Sequence, residues 1–138
     1  MVGSTTGFVS VWIDKLLADP RFGARIDPQR IGVAGFSIGG YTALATVGAR
    51  ISYEQWRVFC ASHAIDSNCK LPPEAHFTVE DLRQMLTSNQ RVKEAIKHSG
   101  DSFLDKRIKA AFVISPALGP VLTKNSLATI HVCARLWW

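Results

Sequence analysis

Arg30-Ile31-Gly32-Val33-Ala34-Gly35-Phe36-Ser37-Ile38-Gly39-Gly40-Tyr41-Thr42-Ala43-Leu44-Ala45-Thr46-Val47 is the stretch whose reading decides the fold. Its first part, through Ala34, is short and apolar and reads as a buried strand. Its last part, from Gly40 onward, is rich in alanine and free of proline, which predicts a helix to about Ala49. Between them lies Gly35-Phe36-Ser37-Ile38-Gly39, a G-x-S-x-G motif at a strand-to-helix turn. In that context the motif marks a nucleophile elbow, a serine exposed on a sharp turn. A serine hydroxyl is a weak nucleophile until a base takes its proton, and the turn gives a base and a carbonyl access to the Ser37 oxygen. Gly35 and Gly39 are expected to let strand and helix pass closely without a Cβ clash. The helix beginning near Ile38 aims its N-terminus at the same point, where free N–H groups and the helix dipole favour negative charge. The Ile38 N–H is the candidate oxyanion donor. The plainer alternative is a glycine-rich turn that packs a helix on a sheet, with Ser37 as a helix cap.

Upstream, Phe8, Trp12 and Leu16 fall on one helical face with Val9, Ile13 and Leu17 beside them, which predicts a helix over 8–18 that Asp19-Pro20 ends. Arg21 to Gln29 is a connector with a turn signal at Asp27-Pro28. Downstream, residues 50–77 lack clear periodicity, carry Pro72-Pro73 and read as an irregular excursion. Thr78-Val79-Glu80-Asp81 has the pattern of a capping box, and Val79, Leu82, Met85 and Leu86 form a helical stripe behind it. Ser88-Asn89 interrupts that helix, and Arg91 to Lys97 resumes it with Val92 and Ile96 apolar. Ile108-Lys109-Ala110-Ala111-Phe112-Val113-Ile114 reads as a second buried strand, ended by Ser115-Pro116. Helix, strand, helix, helices and strand in that order make an α/β pattern with a parallel sheet.

The 138 residues form one domain or part of one, and 47% apolar content supports a core. No apolar run approaches the roughly 20 residues of a membrane span, so no transmembrane segment is expected. Met1 to Gly7 lacks the basic and apolar blocks of a signal peptide. The net charge is +5, with loose basic groups at Arg91/Lys93/Lys97 and Lys106/Arg107/Lys109. Glu94, Asp101 and Asp105 interleave with them, so they read as solvated helix faces and argue against a nucleic-acid partner. Of three cysteines, Cys60 and Cys69 flank a small, polar segment. A disulfide there would imply an oxidising compartment, periplasmic or extracellular; two free thiols fit a cytoplasmic chain equally well. Zinc fits less well, because His63 and Asp66 are nearby but no C-x-x-C or second ligand pair exists. Cys133 is left over.

The block Ile26-Asp27-Pro28-Gln29-Arg30-Ile31-Gly32-Val33-Ala34-Gly35-Phe36-Ser37-Ile38-Gly39-Gly40-Tyr41 resembles the α/β-hydrolases. It is most similar to the dienelactone hydrolases that also resemble platelet-activating-factor acetylhydrolase. Leu16-Leu17-Ala18-Asp19-Pro20, the segment from Cys60 to Cys69, and the run from Asp105 to Gly119 resemble the same subgroup. The resemblance implies a partial α/β-hydrolase fold over 1–138: a parallel-sheet remnant with an elbow at 31–49, a helical insert at about 50–104 and a following strand at 108–114. It also implies that Ser37 is the nucleophile and Ile38 the backbone oxyanion donor. The substrates would be small carboxylic esters or lactones, hydrolysed through an acyl-enzyme with no cofactor and no metal.

In that superfamily an acid and then a histidine follow the serine, the acid after the strand that succeeds 108–114. Ser126 to Val132 resembles the approach to that strand, and Cys133-Ala134-Arg135-Leu136-Trp137-Trp138 then departs from an apolar strand with a G-x-x-D-like turn. The expectation is the middle of a hydrolase, truncated at both ends, without the acid, the histidine or the second oxyanion loop. His63 and His76 lie in the insert, His98 ends a helix, and His131 precedes the next strand at the edge away from the elbow. None matches the family's histidine position. Two readings therefore stand: a serine hydrolase acting at Ser37, and an inactive fragment or non-catalytic binding remnant. A two-stranded remnant would leave strand edges and apolar faces uncovered, which predicts self-association.

Overall fold

Ile31–Phe36 (β1) and Ile108–Ile114 (β2) pair in parallel, as the alternation of helical and apolar segments predicts. The computed structural model describes residues 2–70, 76 and 78–137, and among these all side chains except those of residues 2–6, 79, 80, 82 and 83. A third strand, Cys133–Trp137 (β3), pairs in parallel with β2, giving a three-stranded sheet in the order β1-β2-β3. The expected departure from strand at Cys133 and the expected two-stranded sheet are therefore corrected. An edge strand with one open face needs no apolar run: Ala134 is partly buried against the core, while Cys133 and Arg135 alternate outward.

The helix after β1 is Ile38–Thr46 (α2 below), and it covers one face of β1 and β2. Tyr41, Ala43, Leu44 and Ala45 from the helix meet Ile108, Ala111 and Val113 from β2 in one core. A register shift between Ile31 and Gly32 lets both Ile108 and Ala111 face that core despite their odd spacing. The helix stops before Ala49 because Gly48 turns the chain at φ 113°, a conformation open to glycine. Among the described residues nothing covers the opposite sheet face, so the strands are not buried on both sides as the apolar runs predict. Phe36, Ile114 and Trp137 stand side by side across it, and Phe112 lies one row away. Phe36 and Trp137 are 68% and 67% exposed.

The helix α1 (Val2–Ala18) packs on α2 and begins earlier than residue 8. Val9 and Ile13 pack against the core, whereas Phe8 and Trp12 point outward at 60% and 59% exposure. Between α2 and β2 the irregular excursion expected at 50–77 contains a helix, Tyr53–Ser62 (α3). It escaped the periodicity because none of its residues is fully buried. Polar anchors hold it instead: Ser52 caps it, Gln55 Nε2 donates to Pro120 O at 2.8 Å, and Trp56 Nε1 donates to Asn68 O at 2.9 Å. A disulfide joins Cys60 to Cys69, with Cα atoms 5.4 Å apart, and Cys133 is an exposed thiol. The capping box forms at Thr78 and Asp81 and opens Val79–Ser88 (α4), which packs on Gln90–Lys97 (α5). Leu86, Val92 and Ile96 are partly buried there and Met85 is exposed; Pro72-Pro73 and the side chains of Val79 and Leu82 lie outside what is described. A short helix, Lys124–Ala128 (α6), precedes β3. Among the described residues no helix is long and apolar enough to cross a membrane.

A buried carboxylate ties α1 to the start of β2. Asp105 accepts from Arg107 Nη2 at 2.6 Å and Nε at 2.9 Å, and from Ser10 Oγ at 2.8 Å. Arg107 also pairs with Asp14 on α1, and the Asp105 N–H donates to Thr46 O at 2.9 Å. The Arg107 guanidinium, with its N–H and the Ser10 hydroxyl, holds the Asp105 carboxyl well below the usual carboxylate range. Because the folded value is depressed, this stabilisation is complete above the unfolded value near 4 and is lost as pH falls toward the folded one. Asp105→Asn should cost about 2–3 kcal/mol at neutral pH, and the gap to wild type should narrow below about pH 4. Urea unfolding across that pH range checks this; a gap of constant size would contradict it.

Candidate active site

Ser37 lies between β1 and α2 with φ 53° and ψ −117°. A serine in this region is strained and persists only where its surroundings over-determine it. Here one of its peptide groups is tied to β2 and the other to the loop that follows β2. The Ser37 N–H donates to Ile114 O at 3.1 Å, and the Ser37 carbonyl accepts from Ala117 N–H at 3.0 Å and Tyr41 N–H at 3.1 Å. The side chain makes no cap hydrogen bond to α2, so the plainer reading of Ser37 as a helix cap does not describe this turn. Ser37 is half-buried and its hydroxyl is left unengaged by the described residues. Ile38, the first helical residue, is 54% exposed. Its N–H therefore has no intrahelical acceptor and opens on the same side as the helix N-terminus.

The close approach of strand and helix is carried by Gly35, as expected, but not by Gly39. A Cβ built on Gly35 would lie 2.1 Å from Gly39 O and 2.3 Å from its carbon, so Gly35 is required. A Cβ on Gly39 would meet nothing within 4 Å. The second demanding position is Gly40, where a Cβ would meet Ile114 O and Pro116 Cα at 3.1 Å. The sequence signal for it was present in the doubled glycine, Gly39-Gly40, but the motif alone does not separate the two roles.

The loop after β2 completes the setting. Among the described residues the non-glycine positions with positive φ are Ser37, Ser115 at 40° and Leu118 at 64°. All lie at the C-terminal ends of β1 and β2, and Ser115 N–H donates to Trp137 O at 2.6 Å, joining the end of β3 to the group. Sequence reasoning took Ser115-Pro116 only as the end of a strand. The support that Ile114 and Ala117 on either side of it give Ser37 depends on a backbone path that no residue pattern announces.

The four histidines are placed elsewhere. His63 Nδ1 lies 2.9 Å from Ser62 Oγ and 3.1 Å from Phe59 O, with its ring stacked on Phe59. His98 Nδ1 pairs with Asp101 Oδ2 at 2.8 Å at the end of α5. His76 lines a surface recess with Asp81 and Met85. His131 lines a cavity with Val47 and Ile108, at the end of the sheet away from Ser37. None hydrogen-bonds to Ser37. Among the described residues no three His, Cys, Asp or Glu side chains converge as a metal site.

No protein-family model, no curated protein and no solved structure matches this chain. The case at Ser37 therefore rests on its own geometry.

Gly35→Ala should destabilise by more than about 3 kcal/mol or prevent folding, because the clash is with the backbone of Gly39 and Gly40, which cannot swing aside as a side chain can. Gly39→Ala should be neutral or stabilising by up to about 1 kcal/mol, since alanine suits a helix better than glycine. Thermal unfolding of the two variants checks the contrast, and equal effects would contradict the assignment.

Proposed function

We propose that Ser37 is the nucleophile of a serine hydrolase acting on carboxylic esters or lactones, in a partial α/β-hydrolase fold. The observation that carries this reading is the strained Ser37 backbone at a strand-to-helix turn, with its hydroxyl unengaged and a helix N-terminus behind it. The parallel sheet, the helix directly after the turn and the helical segments between β1 and β2 support the same fold. In the proposed reaction the Ser37 oxygen attacks the ester carbonyl carbon while its proton passes to a base. The tetrahedral oxyanion is held by the Ile38 N–H and the positive end of α2. The alcohol then leaves with a proton, and water cleaves the acyl-serine to release the acid and restore the hydroxyl. The chemistry needs no cofactor.

A second reading, a non-catalytic elbow, is favoured by one observation: no histidine among the described residues bonds to Ser37. A serine with its base removed keeps only a small part of the rate that a full triad gives. The two readings separate in one experiment. The folded protein is treated with a fluorophosphonate, with and without imidazole as an added base, beside Ser37→Ala, and read by intact mass. The hydrolase reading predicts one adduct, absent in Ser37→Ala and formed faster with imidazole. No adduct in the folded protein, or an adduct that survives Ser37→Ala, would leave the non-catalytic reading standing.

A further inference from the structure

The end of the sheet away from Ser37 carries a second concave feature. The C-terminus of α2, the segment entering β2 and the segment entering β3 border an open cavity of about 620 Å³. It lies about five strand residues from Ser37, or roughly 16 Å at the rise of a strand. Its apolar walls are Val47, Leu104, Ile108 and Val132. Arg50, Lys106, Lys109 and His131 also line it, and among the described residues no carboxylate does.

The charges there are not spent on internal partners. Lys109 Nζ donates to Lys106 O at 2.7 Å, a bond that leaves its charge uncompensated. The side chains of Arg50 and Lys106 have no ion-pair or hydrogen-bond partner among the described residues. The carboxylate next to Lys106 in sequence, Asp105, is turned away and is fully committed to Arg107 and Ser10. Three cations lining a recess with apolar walls concentrate positive potential there. Exposed cations and apolar side chains that line one recess match a ligand that has both an anionic head and an apolar body.

We propose that this cavity binds a small amphiphilic anion, its phosphate or carboxylate head on Arg50 and Lys106 and its apolar body against Val47, Leu104, Ile108 and Val132. The site is independent of the chemistry assigned to Ser37, because it shares no residue with the elbow. Arginine supplies a fork for two anion oxygens and Lys106 a second charge, so either head group satisfies the same donors.

The test is amide NMR of the intact chain titrated with hexyl phosphate, hexanoate and inorganic phosphate. Hexyl phosphate or hexanoate should shift the amides of Gly48, Arg50, Leu104 and Val132 saturably, and whichever binds more tightly identifies the head. Inorganic phosphate should bind at least about tenfold more weakly, since it makes no use of the apolar walls. Arg50→Gln combined with Lys106→Gln should weaken the amphiphile by about tenfold or more, while Lys124→Gln, outside the cavity, should leave it unchanged. Both cavity residues are exposed, so a folded spectrum is expected for the double variant. Unsaturable shifts, shifts confined to the open face at Phe112 and Trp137, equal binding of inorganic phosphate, or unchanged affinity in the double variant would each overturn the proposal.

Discussion

The backbone bonds between Ser37 and the neighbouring β2 segment are the constraint on which the rest of the structure depends. The Ser37 N–H donates to Ile114 O and the Ser37 carbonyl accepts from the Ala117 N–H, so a positive-φ serine is held between two fixed points. Those points exist only because β1 and β2 run parallel and in register to Phe36 and Ile114. The register in turn needs α2 to lie flat on both strands, which Gly35 must permit by having no side chain and which the tight approach at Gly40 favours. Pairing, helix packing and serine geometry therefore form one unit; loosening any of them lets the turn relax to an ordinary helix start.

The same unit explains the asymmetry of the molecule. Burial is concentrated in the layer between α2 and the sheet, where Leu44, Ala43, Ala45 and Val113 are fully excluded from water. The other face carries Phe36, Phe112, Ile114 and Trp137 in the open. Parallel sheets normally have both faces covered, and apolar side chains left in water contribute nothing to stability. Specific polar ties do part of the work that a second layer would otherwise do. Asp105 and Arg107 join α1, α2 and β2, while Gln55 and Trp56 pin α3 to the loops around it.

Much of this was legible from residues. The strand–turn–helix at 31–46 and the strand at 108–114 follow from apolar runs bounded by glycine and proline, and the capping box at Thr78 and Asp81 states its helix start outright. What escaped was structure held by means other than an apolar period. The helix α3 is anchored through Gln55, Trp56 and a serine cap, so its sequence has no stripe to read. β3 is an edge strand whose partner supplies the bonds, so Arg135 and Trp137 in it look like an end to order. The face of α1 was visible, but not its rotation, since Phe8 and Trp12 are larger than the Val9 and Ile13 that pack inward. At the site, the serine and its helix were legible from the motif; the Ser115 to Leu118 support was not, because backbone hydrogen bonding has no residue signature.

The most direct test of the central claim is a crystal structure of the chain at a resolution that shows the peptide planes around Ser37. The account predicts φ near 53° and ψ near −117°, the Ala117 N–H on the Ser37 carbonyl, and a hydroxyl that caps nothing. A Ser37 with negative φ whose hydroxyl accepts from an N–H in the first turn of α2 would contradict it, and would make the motif an ordinary capped turn.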